Sequence, residues 1–187
     1  AYRITHAFSV TAFLTLLTSQ FLHGGFMHLI GNMLYLWIFG NNVEDAVGRG
    51  RFMFFYLLCG VLAALAQVLA DTDAQVPAIG ASGAIAGVLG GYILLFPHAR
   101  VDTLIAMGYF VRLRPMPAYL VIGLWFVLQL FNGVLSLGVG QMGGVAWFAH
   151  IGGFLAGLLL IKIFVPRRPR GRGVGPMYEL SLIHISE

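Results

Sequence analysis

Apolar residues in this chain come in long blocks, not in the one-face or alternating patterns of a soluble domain, and short polar clusters separate the blocks. The pattern predicts membrane spans near residues 26–40, 52–70, 82–96, 118–137 and 145–165. The first closes on Asn41-Asn42-Val43-Glu44-Asp45 and the second on Asp71-Thr72-Asp73. The third ends before Pro97, and the fourth gives way to the glycine-rich stretch Gly138 to Gly144. Residues 1–25 contain no clean apolar span and read as an interfacial or re-entrant segment. Residues 97–117, with Arg100, Asp102, Arg112 and Arg114, are too charged to cross.

Composition fixes the class. With 59% hydrophobic and 10% charged residues and a mean hydropathy of +0.87, the chain carries more apolar surface than a water-soluble domain of 187 residues can bury. The fold class is an all-α polytopic membrane protein, with residues 1–165 as one membrane domain and 166–187 as a basic tail. The single cysteine, Cys59, lies in an apolar run and excludes an internal disulfide. The last residues, from Gly175 to Glu187, fit nothing before them and read as a foreign or read-through tail.

Charge placement then changes the reading of the pI of about 9.6. Arg49 and Arg51 follow the first span, Arg100, Arg112 and Arg114 follow the third, and Lys162 with four arginines closes the fifth. Ten of the eleven basic residues therefore share one side, which the positive-inside rule makes cytoplasmic. The basicity is topology and implies no nucleic-acid partner; the bilayer is the partner it implies.

Polar groups inside apolar spans are costly and are candidates for function. His28 and Asn32 lie four apart on one face of the first span, Ser82 opens the third, and His150 lies early in the fifth. These three spans run the same way, so the groups share one depth near the outer ends. A helix from Ser82 to Phe96 rises about 22 Å, against a hydrocarbon core of roughly 30 Å, which sets Ser82 some 8 Å below the outer surface.

A serine hydroxyl needs a base, and a neutral imidazole is the usual one near neutral pH, which makes His150 the partner of Ser82. An oxyanion formed there needs fixed donors, which the Ser82 N–H, the Asn32 amide and the His28 imidazole supply. His23, His28 and His150 could be read as zinc ligands, but there is no H-E-x-x-H motif and no intramembrane carboxylate, so neither metal nor cofactor is expected. The bland alternatives are interhelical hydrogen bonding by His28 and Asn32 and close helix packing by the small residues around Ser82.

Gly80-Ala81-Ser82-Gly83, the H-x-x-x-N pair in HGGFMHLIGN, and AHIGGFLAG resemble, in order and orientation, the rhomboid family of intramembrane serine proteases. The resemblance covers about Leu16 to Val165. It implies a Ser82–His150 dyad without a third acid, and an oxyanion hole of His28, Asn32 and the Ser82 amide. It also implies transmembrane protein substrates cut near the outer face, and a structural role for His23. Gly80 belongs to the nucleophile motif. Gly83 and Gly87 on one helix and Gly153 and Gly157 on another would permit the approach that brings the dyad together. The family core has six spans and five are visible here, so a further helix is expected before Ala1. A tyrosine that some members stack on the base is Ala86 here, so ring support for His150 has to come from elsewhere. The family's mobile parts map to the fourth span and the Gly138 to Gly144 loop. The alternative within the resemblance is a non-catalytic relative that binds or routes membrane clients; oligomeric state is not legible.

Overall fold

A computed structural model describes residues 10–72, 79–107, 110–139 and 145–166. The N-terminal segment forms helix α1 (Val10–Thr18) and a tight turn over Ser19–Phe21. Helix α2 (Phe26–Tyr35) follows, then a wide π-type turn (Leu36–Gly40), α3 (Asn41–Val47) and α4 (Arg49–Ala70). Next come α5 (Ser82–Leu95), strands β1 (Arg100–Met107) and β2 (Phe110–Pro117), α6 (Ala118–Val139) and α7 (Trp147–Phe164). Helices α4, α6 and α7 are long and apolar enough to cross a membrane, and α5 is a shorter apolar helix.

The centre of the bundle is α5, in which every residue from Gly83 to Tyr92 is buried. A helix apolar on all sides must be covered on all sides. Its 14 residues span about 21 Å, less than the roughly 30 Å of a hydrocarbon core. Small residues let its neighbours approach to backbone contact. A β-carbon on Gly83 would meet Ala63 of α4 at 2.7 Å and the Ala149 carbonyl of α7 at 3.6 Å. One on Gly87 would meet Cys59 Sγ at 2.7 Å and the Gly153 carbonyl at 3.2 Å. Residue numbers on α5 and α7 rise together through these contacts while those on α4 fall, so α5 and α7 are parallel and α4 is antiparallel to both. The same reasoning makes α6 antiparallel to α7, since Phe126 stacks on Phe154 with centroids 4.1 Å apart and Gly133 faces Ile151.

Two stretches depart from the block pattern. The helical path that starts at Phe26 does not close at the Asn41 to Asp45 cluster but continues to Val47 and stops at Gly48, whose φ is +90°. The polar residues are absorbed locally: Asn42 Nδ2 donates to Tyr92 Oη at 3.2 Å, Glu44 pairs with Arg49 at 3.1 Å, and Val43 and Val47 are buried. Residues 97–117 are not an irregular loop. They form an antiparallel hairpin with Arg100 opposite Pro117 and Leu104 opposite Leu113, the one sheet among the described residues.

Large apolar side chains on α6 such as Leu124, Phe131, Val134 and Leu137 are exposed, as lipid-facing positions in a membrane bundle are. Residues 140–144 of the glycine-rich loop and the basic tail beyond Pro166 lie outside the described residues.

Candidate active site

The turn into α5 is built on glycine. Gly80 has a φ of +121°, a conformation that disfavours any side chain, and its N–H donates to the Ser19 carbonyl at 2.9 Å. A β-carbon there would stand 2.7 Å from His28 Cε1. Ser82, two residues on, is the first residue of α5, and the first N–H groups of a helix have no intrahelical acceptor. No side chain caps this end.

His150 stands in the first turns of α7. That helix also lacks a side-chain cap of its own, and Gln67 of α4 supplies one across the bundle, its Oε1 accepting the Ala149 N–H at 3.1 Å. The adjacent imidazole is engaged at both nitrogens: His150 Nε2 lies 2.8 Å from Ser82 Oγ, and His150 Nδ1 lies 2.8 Å from Gln129 Oε1 on α6. Two indoles flank the ring. Trp125 lies with its centroid 6.1 Å away at 39°, and Trp147 lies edge-on at 6.4 Å and 88°. Ring support absent at Ala86 thus comes from α6 and from the start of α7.

On the other side of the turn, His28 Nδ1 accepts the Gly24 N–H at 3.4 Å, which leaves the proton of a neutral ring on Nε2. His23 packs edge-on against this ring at 5.3 Å. Asn32 is buried, and its Nδ2 donor has no partner. A β-carbon at Gly80 would lie 2.9 Å from His28 Nε2 and 3.7 Å from Asn32 Nδ2, so both nitrogens close on the turn that leads into Ser82. A buried unpaired polar atom costs about 1–3 kcal/mol, and Asn32 Nδ2 shares that state with His23 Nε2 and Gln20 Oε1.

The four polar residues singled out in the sequence therefore gather around one turn. The packing glycines lie beneath it, where Gly153 and Gly157 press on the carbonyls of Gly83 and Gly87. Gln129, Gln67 and Trp125 were not singled out. Gln129 carried the same signal as Ser82 and His150, a polar residue inside an apolar run, here Leu124-Trp125-Phe126-Val127-Leu128-Gln129-Leu130. Beside Trp147 lies a cavity of about 270 Å³ bordered by Gln67, Asp71, Ser136 and Trp147, polar and roomy enough for water.

The sequence profile of the Rhomboid domain matches residues 11–167. The chain is 31% identical to Rhomboid protein 1, mitochondrial, of Saccharomyces cerevisiae over 155 residues, which covers 80% of this chain and 41% of that protein. It is 32% identical to RHOMBOID-like protein 5 of Arabidopsis thaliana, with coverages of 87% and 47%. It is 34% identical to Rhomboid protease GluP of Bacillus subtilis, with coverages of 78% and 25%. The chain thus spans less than half the length of these relatives. A match over nearly the whole described helical bundle, together with helices fit to cross a bilayer, makes this an integral membrane protein that belongs to the rhomboid family.

Proposed function

We propose that the protein is an intramembrane serine endopeptidase that cleaves transmembrane helices of other membrane proteins near the outer membrane face. The observation that carries this reading is the 2.8 Å approach of His150 Nε2 to Ser82 Oγ, at the end of the bundle where two further N–H donors converge. The name of one relative, Rhomboid protease GluP of Bacillus subtilis, supports it.

The chemistry follows from the atoms. Ser82 Oγ attacks a peptide carbonyl carbon while its proton passes to His150 Nε2; the new C–O bond forms as the carbonyl π pair moves onto oxygen. That oxyanion is met by the Ser82 N–H, His28 Nε2–H and Asn32 Nδ2, donors set around the turn before the substrate arrives. Collapse re-forms the carbonyl, breaks the C–N bond, and sends the proton from His150 to the departing amine. Water then repeats the sequence on the acyl-enzyme, giving a carboxylic acid and restoring Ser82. A helical substrate hides its carbonyls in backbone hydrogen bonds, so its cut region must unwind, and segments rich in small, poorly helix-forming residues fit best. The positive-inside rule sets the dyad toward the non-cytoplasmic side and the tail in the cytoplasm.

The test is covalent labelling with a fluorophosphonate probe, together with cleavage of a reporter transmembrane substrate. Wild type labels and cleaves, while Ser82→Ala and His150→Ala do neither. Undiminished cleavage by Ser82→Ala would overturn the reading, and a wild type that neither labels nor cleaves would favour client binding instead.

A further inference from the structure

We propose that Gln129 is the positioning residue of the site: it fixes the tautomer and the plane of the His150 ring within the proposed Ser82–His150 dyad. The inference rests on the protease reading for its kinetic consequence, but its structural content stands apart from it.

An amide oxygen can only accept a hydrogen bond. Gln129 Oε1 at 2.8 Å from His150 Nδ1 therefore requires the proton on Nδ1. In a neutral imidazole this leaves Nε2 as the acceptor, and Nε2 is the atom 2.8 Å from Ser82 Oγ. The opposite tautomer would point an N–H at the hydroxyl and the lone pair of an unprotonated nitrogen at the amide oxygen, disabling the base and setting two acceptors against each other. Charged third members of hydrolytic triads act through the same control of tautomer and orientation. Gln129 does it without placing a carboxylate in the bilayer, where an ion is expensive.

Geometry supports a built arrangement. Gln129 is only 7% exposed, although α6 is the least buried of the three helices long enough to cross a membrane. Trp125, one turn earlier on the same face of α6, lies beside the same imidazole. Helix α6 thus touches the base twice, once through the plane of the ring and once through its Nδ1. By contrast His28 Nδ1 is an acceptor, so the two histidines present opposite faces to the turn: His28 a donor at Nε2, His150 an acceptor.

Two substitutions separate orientation from packing. Gln129→Met keeps the side-chain length and volume but has no acceptor for Nδ1–H, whereas Gln129→Glu keeps an oxygen at the same reach. In the full chain, Gln129→Met should lower kcat and the fluorophosphonate labelling rate by about 10–100-fold, part of the roughly 10²–10⁴-fold a general base contributes, with KM changed less than twofold. Gln129→Glu should restore labelling to within about threefold of wild type. Selective ¹⁵N-histidine spectra, with His150 assigned by its loss in His150→Ala, read the tautomer directly. Wild type should show a protonated Nδ1 and an unprotonated Nε2, and Gln129→Met should show the two signals drawn together by exchange. Wild-type labelling and kcat in Gln129→Met, or an Nε2-protonated ring in the wild type, overturns the proposal. If the wild type itself does not label at Ser82, the protease reading fails while the spectra still decide the role of Gln129.

Discussion

Gly157 of α7 and Gly87 of α5 meet backbone to backbone: a β-carbon at residue 157 would overlap the carbonyl group of Gly87. Gly153 stands in the same relation to Gly83, one turn nearer the site. Because α5 and α7 are parallel, this spacing propagates upward and sets how far Ser82 stands from His150. In lipid no hydrophobic force pulls helices together, so packing at close approach has to supply the attraction.

Gly157→Ala should therefore cost about 1–3 kcal/mol, the usual penalty for forcing a methyl into a filled contact, and should slow labelling of Ser82 as the helices part. Gly123→Ala on α6 is the control. Nothing lies within 4 Å of its added β-carbon, and relief of helix-interior glycine should stabilise by about 0.5–1 kcal/mol. Unfolding in mixed micelles measures both, and equal effects at the two positions would rule out the packing account.

Asn32 predicts a separation of activity from stability. Its buried Nδ2 has no protein partner, and on the proposed mechanism an oxyanion would repay that cost. Asn32→Leu removes the unpaired donor at similar volume. Turnover should fall about 10²–10³-fold, as for loss of one oxyanion donor, with KM nearly unchanged. Stability should hold or rise, and a marked loss of stability would show instead that Asn32 is a structural staple.

Gly80→Ala combines two faults, a φ of +121° and a contact of 2.7 Å with His28 Cε1. Adding His28→Ala removes the contact but not the dihedral strain, which costs about 1–2 kcal/mol for an L residue in left-handed space. The double variant should recover part of the stability lost in Gly80→Ala and none of the activity. Full recovery of stability would mean that the ring contact alone mattered.

Much of this arrangement was legible before any coordinates. Ser82, His150, His28 and Asn32 stood out because a polar atom in an apolar block is expensive, and the direction of the spans gave them a common depth. The glycine pairs were legible because spacing four marks a face. What the sequence concealed depends on which side of a helix faces inward. Gln129 and Gln67 sit in blocks that mix inward-facing and exposed residues, such as Ile122 and Leu124 on α6 and Ala63 and Leu69 on α4, and block hydropathy does not distinguish those sides. The hairpin from Arg100 to Pro117 was hidden for another reason: its charges mark it as extramembrane, but alternation over two short strands, the second carrying Pro115 and Pro117, is a weak signal. The continuation of α3 past Asn41 needed Tyr92, fifty residues away, to accept the Asn42 amide.

The N-terminal segment offers the last prediction, through Gln20 and Gly60. Gln20 is 3% exposed, and its Nε2 donates to the Leu16 carbonyl at 3.2 Å and, across the bundle, to the Leu57 carbonyl of α4 at 3.5 Å. The amide occupies the space where a side chain at Gly60 would begin; a β-carbon there would lie 2.7 Å from Gln20 Nε2. Gly60→Ala should expel the amide, and Gln20→Ala should leave a void over Gly60, so each alone destabilises. Combined, the new methyl fills space the lost amide vacates. The double variant should then fall short of the summed losses by about 0.5–3 kcal/mol, the coupling expected of residues in contact. Labelling should follow the same pattern, because Gln20 sits in the turn whose Ser19 carbonyl holds the Gly80 N–H and hence the approach to Ser82. Additive losses in unfolding and labelling would show that Gln20 and Gly60 act independently and that this turn does not brace the nucleophile.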